Sequence, residues 1–300
     1  MVSFDDFPPV RGVLQEKANL AKKSRFGVGG PAEVLFIPED MDDLQLFLDN
    51  TPPKFPITVL GAMSNVLIRS GGIGGVVIML GNWFKKTFVE DGILEVGAAV
   101  SCSELSTIAT DSDLGGFEFL MGLPGSVGGA LKMNAGCYDS EISDVLVEFE
   151  AVAKNGQIKW FKANELNFRY RDSGIPDDLI ITRIWFRGSQ NVNYIISKKI
   201  HEIMKKRLDS QPLDKKSCGS TFKNPKGKKA WELIHAAGCR GMKLGGAVVS
   251  EKHCNFIINT GNATPEDIEN LGLKVIDRVR QTSGIVLEWE IIRLGSSVPT

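Results

Sequence analysis

Residues 122–129 read Gly-Leu-Pro-Gly-Ser-Val-Gly-Gly, and five of these eight are Gly or Pro. Backbone without a Cβ can approach a ligand closely, and successive N–H groups turned into one concavity bind phosphate. An isolated glycine-rich turn at a strand end is most often only a turn. Here Asn134-Ala135-Gly136 adds a second small-residue approach within a short span. We therefore read Gly122, Pro124, Gly125, Ser126, Gly128, Gly129, Asn134, Ala135 and Gly136 as a phosphate cradle. A third turn, Gly61-Ala62-Met63-Ser64-Asn65, follows the apolar run at residues 57–60, and its Ser and Asn supply side-chain hydrogen bonds. Two such turns can clamp one long diphosphate cofactor. Neither common nucleotide loop is present. GxxxxGK[ST] is absent, and Gly27-Val28-Gly29-Gly30 lacks the strand before and helix after that a dinucleotide fingerprint needs.

Ser217-Cys218-Gly219-Ser220-Thr221-Phe222-Lys223-Asn224-Pro225 is either a polar turn or a turn that presents a hydroxyl as proton donor. With no histidine near Ser220 and no GxSxG elbow, a hydrolase is disfavoured. Residues 250–255 (Ser-Glu-Lys-His-Cys-Asn) taken alone read as a solvated loop. Arg169 and Arg171 share a face if residues 167–173 form a strand, as do Glu288 and Glu290, with Trp289 opposite. A carboxylate beside Leu287 and Ile291 is partly buried and needs a partner such as arginine.

The elements that must position these groups alternate helical and strand patterns. Strands are expected at residues 32–37, 56–61, 66–68, 76–80, 93–96, 145–153, 158–161, 179–186 and 285–294. A short helix after Pro38 buries Leu44, Phe47 and Leu48, and residues 103–110 form another. A long helix over 192–208 repeats Val192, Ile196, Ile200, Ile203, Met204 and Leu208, and Gln211-Pro212 stops it. Thr264-Pro265-Glu266-Asp267 opens a second long helix, with Thr264 as cap and Asp267 in the capping-box position. Gly188-Ser189-Gln190-Asn191 marks a boundary. The pattern predicts an α+β protein in three parts: residues 1–75, 76–188 and 189–300.

The 35 basic and 36 acidic residues are mixed along the chain, which argues against nucleic acid or a membrane surface as partner. The N-terminus has no basic region followed by an apolar one, and no apolar run nears the roughly 18 residues of a span, so the cytoplasm is expected. Five cysteines with no CxxC pair, and three scattered histidines, predict neither a disulfide framework nor a metal site.

Several runs together resemble the UDP-N-acetylenolpyruvoylglucosamine reductase family of peptidoglycan precursor synthesis. They are residues 25–33 (RFGVGGPAE), 60–68 (LGAMSNVLI), 122–136 (GLPGSVGGALKMNAG), 168–173 (FRYRDS), 219–225 (GSTFKNP), 245–263 (GGAVVSEKHCNFIINTGNA) and 284–295 (GIVLEWEIIRLG), in the family's order over nearly the whole chain. The resemblance implies an FAD-binding fold of the vanillyl-alcohol-oxidase type, in two subdomains, with a C-terminal α+β domain for the UDP-sugar. It implies non-covalently bound FAD, NADPH as co-substrate and the enolpyruvyl ether of UDP-N-acetylglucosamine as substrate. It places the family's proton donor on Ser220, its catalytic arginine on Arg171 and its catalytic glutamate on Glu290. With chemistry added, it makes Tyr170, Arg207, Asn224, Lys252 and Asn255 candidates for the UDP-sugar. The chain departs from the family at Ala62-Met63, at Asp139-Ser140 and at Cys218, and resembles the shorter subclass without a tyrosine loop after Ser173. Another flavin oxidoreductase of this fold, or a non-catalytic flavin or UDP-sugar binder, remains the alternative.

Overall fold

The computed structural model describes residues 6–298; residues 1–5, on which the reading of the N-terminus partly rests, lie outside them. Six α-helices occur in the described chain: α1 (Met41–Asn50), α2 (Cys102–Asp111), α3 (Val127–Lys132), α4 (Asn193–Ser210), α5 (Ala230–Ala236) and α6 (Pro265–Ser283). The chain divides into two compact units. The first comprises the chain up to Glu16, Val34–Ala62 and Gly75–Lys206; the second comprises Lys17–Glu33, Met63–Gly74 and the chain from Arg207 on. The N-terminal stretch expected as one part thus contributes to both units, and the cut between Ala62 and Met63 falls inside the turn at residues 61–65.

The first unit is built on a five-stranded antiparallel sheet. Its order is Ile158–Lys162, Leu146–Ala153, Leu179–Arg187, Ile93–Gly97, Thr87–Glu90. α2 and α3 cover one face, where Leu94, Val96, Leu105, Phe117, Leu120, Val127, Leu131, Phe149, Ile184 and Phe186 form a closed core. Each such side chain contributes about 1.5–3 kcal/mol on burial. A second core sets α1 (Leu44, Phe47, Leu48) against Val34, Phe36, Val76 and Ile78. Asp40 caps α1 by accepting from the Asp43 N–H. The Asp43 carboxylate, 1% exposed, accepts from the N–H groups of Arg11, Gly12 and Glu39, which holds the N-terminal segment on the helix.

In the second unit α5 and α6 pack on a three-stranded antiparallel sheet, Lys243–Leu244, Ala247–Val249 and Ile257–Asn259. The expected capping box opens α6: Thr264 accepts from Asp267 N, and the Asp267 side chain returns to the Thr264 N–H. Gly284 closes the helix at φ 72°. A parallel pair joins Val66–Ile68 to Ile292–Leu294. Across it the Glu269 carboxylate of α6 holds Arg69 (2.8 Å) and Arg293 (2.9 Å).

Two expected elements differ. Residues 285–294 are not one strand: Gly284 releases an extended segment that bridges only at Trp289, and the ladder begins at Ile292. In α4 only Ile196 and Ile203 are buried, while Val192 and Leu208 at its two ends are exposed. No helix of the described residues is long and apolar enough to cross a membrane.

Candidate active site

In the first unit, Ser101 and Ser126 form an isolated antiparallel bridge, with Cys102 N donating to Gly125 O and Val127 N to Val100 O. Ser126 then caps α3, its Oγ accepting from Gly129 N at 3.4 Å. Gly128 N donates to Ala98 O at 2.9 Å, and a Cβ on Gly128 would lie 2.8 Å from that of Ala98. The N–H groups of Val127, Gly128 and Gly129 are therefore spent inside the protein, which corrects the expectation that the whole loop cradles phosphate. Those of Gly125 (φ 126°) and Ser126 donate to no protein group among the described residues. Gly122 ends a 3-10 turn and Pro124 follows it before the cap.

The turn at 61–65 brings more free donors. Among the described residues the N–H groups of Gly61, Ala62, Met63 and Ser64 have no protein acceptor. Gly61 packs on the other loop, since a Cβ there would meet Ser126 Oγ at 2.5 Å. Met63 adopts φ 48° with its side chain 3% exposed, so its bulk is turned inward and its N–H stays available. Asn65 is used differently: its Nδ2 donates to Glu290 O at 2.8 Å and its carbonyl accepts from Ile292 N. This corrects its assignment as a flavin contact through the amide.

Asn134 is fully buried at φ 44°. Its Oδ1 accepts from Ser143 N and its Nδ2 donates to Arg169 O. Its side chain is thus a joint between turns, not a free ligand group. Ala135 donates to Ala130 O, and Gly136 O accepts from Arg171 at 2.8 Å. Residues 167–173 form no strand. Arg169 and Asp172 exchange both main-chain hydrogen bonds, which puts Tyr170 and Arg171 at the apex of a two-residue turn. Arg171 sits at φ 58°, a conformation costing about 1 kcal/mol for a residue with a Cβ. Ser173 Oγ, bonded to Lys132 O, and Asn134 hold the turn in place. The Arg171 guanidinium lies 4.9 Å from the centre of the half-exposed Tyr170 ring.

In the second unit, residues 221–223 pair with 288–290. Phe222 bridges Trp289, Lys223 N donates to Glu288 O and Glu290 N to Thr221 O at 2.9 Å. Glu290 is thereby paired with Thr221, the residue that follows Ser220. Ser220 is half-buried, and its Oγ has no hydrogen-bond partner among the described residues. Glu290 is half-buried between Leu287 and Ile291, whereas Glu288 is exposed. Cys218 donates to the carbonyls of Met63 and Val66, and burial pushes its thiol up to about 12, so it fastens the loop and supplies no thiolate. Burial also lowers the pKa of His253, whose Nδ1 is buried without a partner.

The residues expected to hold the UDP-sugar divide. Asn255, 3% exposed, spends its amide on Phe222: Oδ1 accepts from Phe222 N and Nδ2 donates to Phe222 O. It is no ligand contact, which corrects that assignment. Asn224 is exposed; its Oδ1 takes the first N–H of α5, leaving its NH₂ group. Lys252 is exposed and its Nζ donates to Leu208 O at the end of α4, where Arg207 is half-buried one residue earlier. Arg171 and Tyr170 belong to the first unit; Ser220, Glu290, Arg207, Asn224, Lys252 and Asn255 to the second. Sequence reasoning missed Thr221 and the carbonyls of Ala98 and Val100, because pairings distant in sequence leave no local periodicity.

Comparisons with known proteins bear on the family and the fold. Residues 32–162 match the family described as FAD binding domain, and residues 211–294 match UDP-N-acetylenolpyruvoylglucosamine reductase, C-terminal domain. A UDP-N-acetylenolpyruvoylglucosamine reductase of Parvibaculum lavamentivorans is 48% identical over 97% of this chain and 94% of its own. One from a Bradyrhizobium species is 47% identical over 96% and 94%. The solved UDP-N-acetylenolpyruvylglucosamine reductase of Thermus caldophilus superposes with a TM-score of 0.82 at 33% identity, covering 96% of this chain and all of that one.

Proposed function

The chain belongs to the UDP-N-acetylenolpyruvoylglucosamine reductase family, and from that premise we propose that it reduces the enolpyruvyl ether of UDP-N-acetylglucosamine to UDP-N-acetylmuramate with NADPH. The reaction serves peptidoglycan precursor synthesis, and its nucleotide substrates place it in the cytoplasm. The residues present fit FAD. The acceptor-free N–H groups of Gly61, Ala62, Gly125 and Ser126, all of the first unit, suit its diphosphate. Bound FAD supplies the hydride, taken first from NADPH.

The observation that supports the assignment of roles is the hydrogen bond from Glu290 N to Thr221 O, which pairs Glu290 with the residue next to Ser220. When the vinyl CH₂ carbon of the substrate gains a hydride, the neighbouring carbon becomes an enolate conjugated to the carboxylate. Ser220 gives that carbon its proton; a serine is a weak acid, but an enolate is basic enough to take it. The Arg171 guanidinium holds the charge of the enolate and carboxylate. Its preset turn removes the cost of ordering a long side chain at the moment of reaction. Glu290 orients the substrate carboxylate group.

The test is the visible spectrum of the purified protein. A flavin band bleached by NADPH and restored by the enolpyruvyl UDP-sugar is the expected result. A flavin band that the UDP-sugar fails to restore removes the reductase reading.

A further inference from the structure

We propose that Asn255 is a positioning residue for proton delivery, holding Ser220 in register with Glu290 by acting as a strand neighbour to Phe222. The inference rests on Ser220 being the proton donor. Segment 221–223 pairs through its main chain with residues 288–290 on one side, and on the other it meets Asn255. Lys223 N and Thr221 O bond to residues 288–290, so the N–H and C=O of Phe222 point the other way. Asn255 meets both, at 3.0 and 2.8 Å, and its own carbonyl accepts Thr221 N at 2.7 Å. A carboxamide carries one donor and one acceptor side by side, as a peptide group does, and only Asn and Gln offer that pair.

Ser220 depends on this clamp for its position. Its hydroxyl has no hydrogen bond of its own among the described residues. On its N-terminal side Gly219 adopts φ 75°, and a Cβ built there would meet nothing within 4 Å, so the residue next to Ser220 adds no side-chain contact. On its C-terminal side Thr221 is fixed by Asn255 through its N–H, by Glu290 through its carbonyl, and by Ile257 N through Oγ1. Releasing Phe222 loosens the C-terminal flank of Ser220, while Cys218 on the other flank stays bonded to Met63 O and Val66 O and the first unit's turns, Gly61 and Ser126 among them, are untouched.

The experiment uses the full-length flavin-loaded protein. Asn255→Ser is small enough for the site but cannot reach both main-chain groups; Asn255→Asp keeps the volume and loses the donor. Reduction by NADPH and reoxidation by the enolpyruvyl UDP-sugar are timed separately by stopped-flow absorbance. The expected result is reoxidation slowed at least ~10-fold, with flavin content, reduction rate and UDP-sugar affinity unchanged. In a Ser220→Ala background, adding Asn255→Ser then changes reoxidation by less than about twofold, because both act on one step. Additive slowing overturns the proposal. So does a loss of UDP-sugar affinity, equal slowing of both half-reactions, or failure of both variants to yield flavin-loaded protein. Ser220→Ala reoxidised at the wild-type rate is a separate result: it removes the donor assignment and the inference with it.

Discussion

Gly61 and Ser126 lie so close that a Cβ on Gly61 would come within 2.5 Å of the Ser126 hydroxyl. Two small-residue segments of the first unit, far apart in sequence, therefore meet at Gly61 and Ser126. Gly61→Ala is expected to push Ser126 off its cap on α3 and weaken flavin binding at least ~10-fold, with the fold retained, since losing a cap costs about 1 kcal/mol and each misplaced charge-assisted hydrogen bond somewhat more. Fluorescence titration of the apoprotein with FAD measures this. Gly128→Val is a poorer probe, because its side chain would strike Ala98 and cost stability directly. Unchanged FAD affinity in Gly61→Ala would remove these turns from the cofactor site.

Lys252 reaches the last turn of α4, where a cation also complements the helix dipole. As a ligand for the UDP-sugar diphosphate it predicts that Lys252→Ala raises the Michaelis constant about tenfold or more, the worth of one charged hydrogen bond, with flavin reduction by NADPH little altered. A lowered melting temperature with an unchanged Michaelis constant would assign Lys252 to helix capping alone.

Glu269 joins α6 to two strands through Arg69 and Arg293, and the Arg69 hydrogen bond, followed by its charge and by Arg293, lowers the Glu269 pKa in the folded protein. A depressed folded pKa means that the unfolded chain binds the proton first. The stability from this carboxylate is therefore fully present above the ordinary glutamate value, about 4.3, and is lost as pH falls through the lower folded value. Glu269→Gln should lower the unfolding free energy from urea titration at pH 7 by an amount on the order of 1 kcal/mol, and the gap from wild type should close in acid. A gap that persists unchanged below pH 3 would show that packing, not charge, accounts for it.

Much of this was legible in the sequence because it is written locally. The α6 capping box, the Leu44–Phe47–Leu48 face of α1 and the glycine turns declare themselves within a few residues. At Tyr170-Arg171 the alternating Arg and Tyr satisfy a period of two and leave a strand open, whereas Arg169 and Asp172 pair with each other and make a turn. Asn65, Asn134 and Asn255 were read as ligand groups for one shared reason. An asparagine in a loop looks the same whether its amide faces solvent or another loop, and only the distant partner, Glu290, Arg169 or Phe222, decides.

The central claim is that Ser220, next to the Thr221 that pairs with Glu290, delivers the proton, and stopped-flow absorbance of the two half-reactions of Ser220→Ala tests it most directly. The account predicts flavin reduction by NADPH at a near-normal rate, reoxidation by the enolpyruvyl UDP-sugar slowed by about 10²–10⁴, and substrate affinity barely changed, since one hydroxyl contributes only about 0.5–1.5 kcal/mol. Equal slowing of both half-reactions, or reoxidation at the wild-type rate, would contradict it.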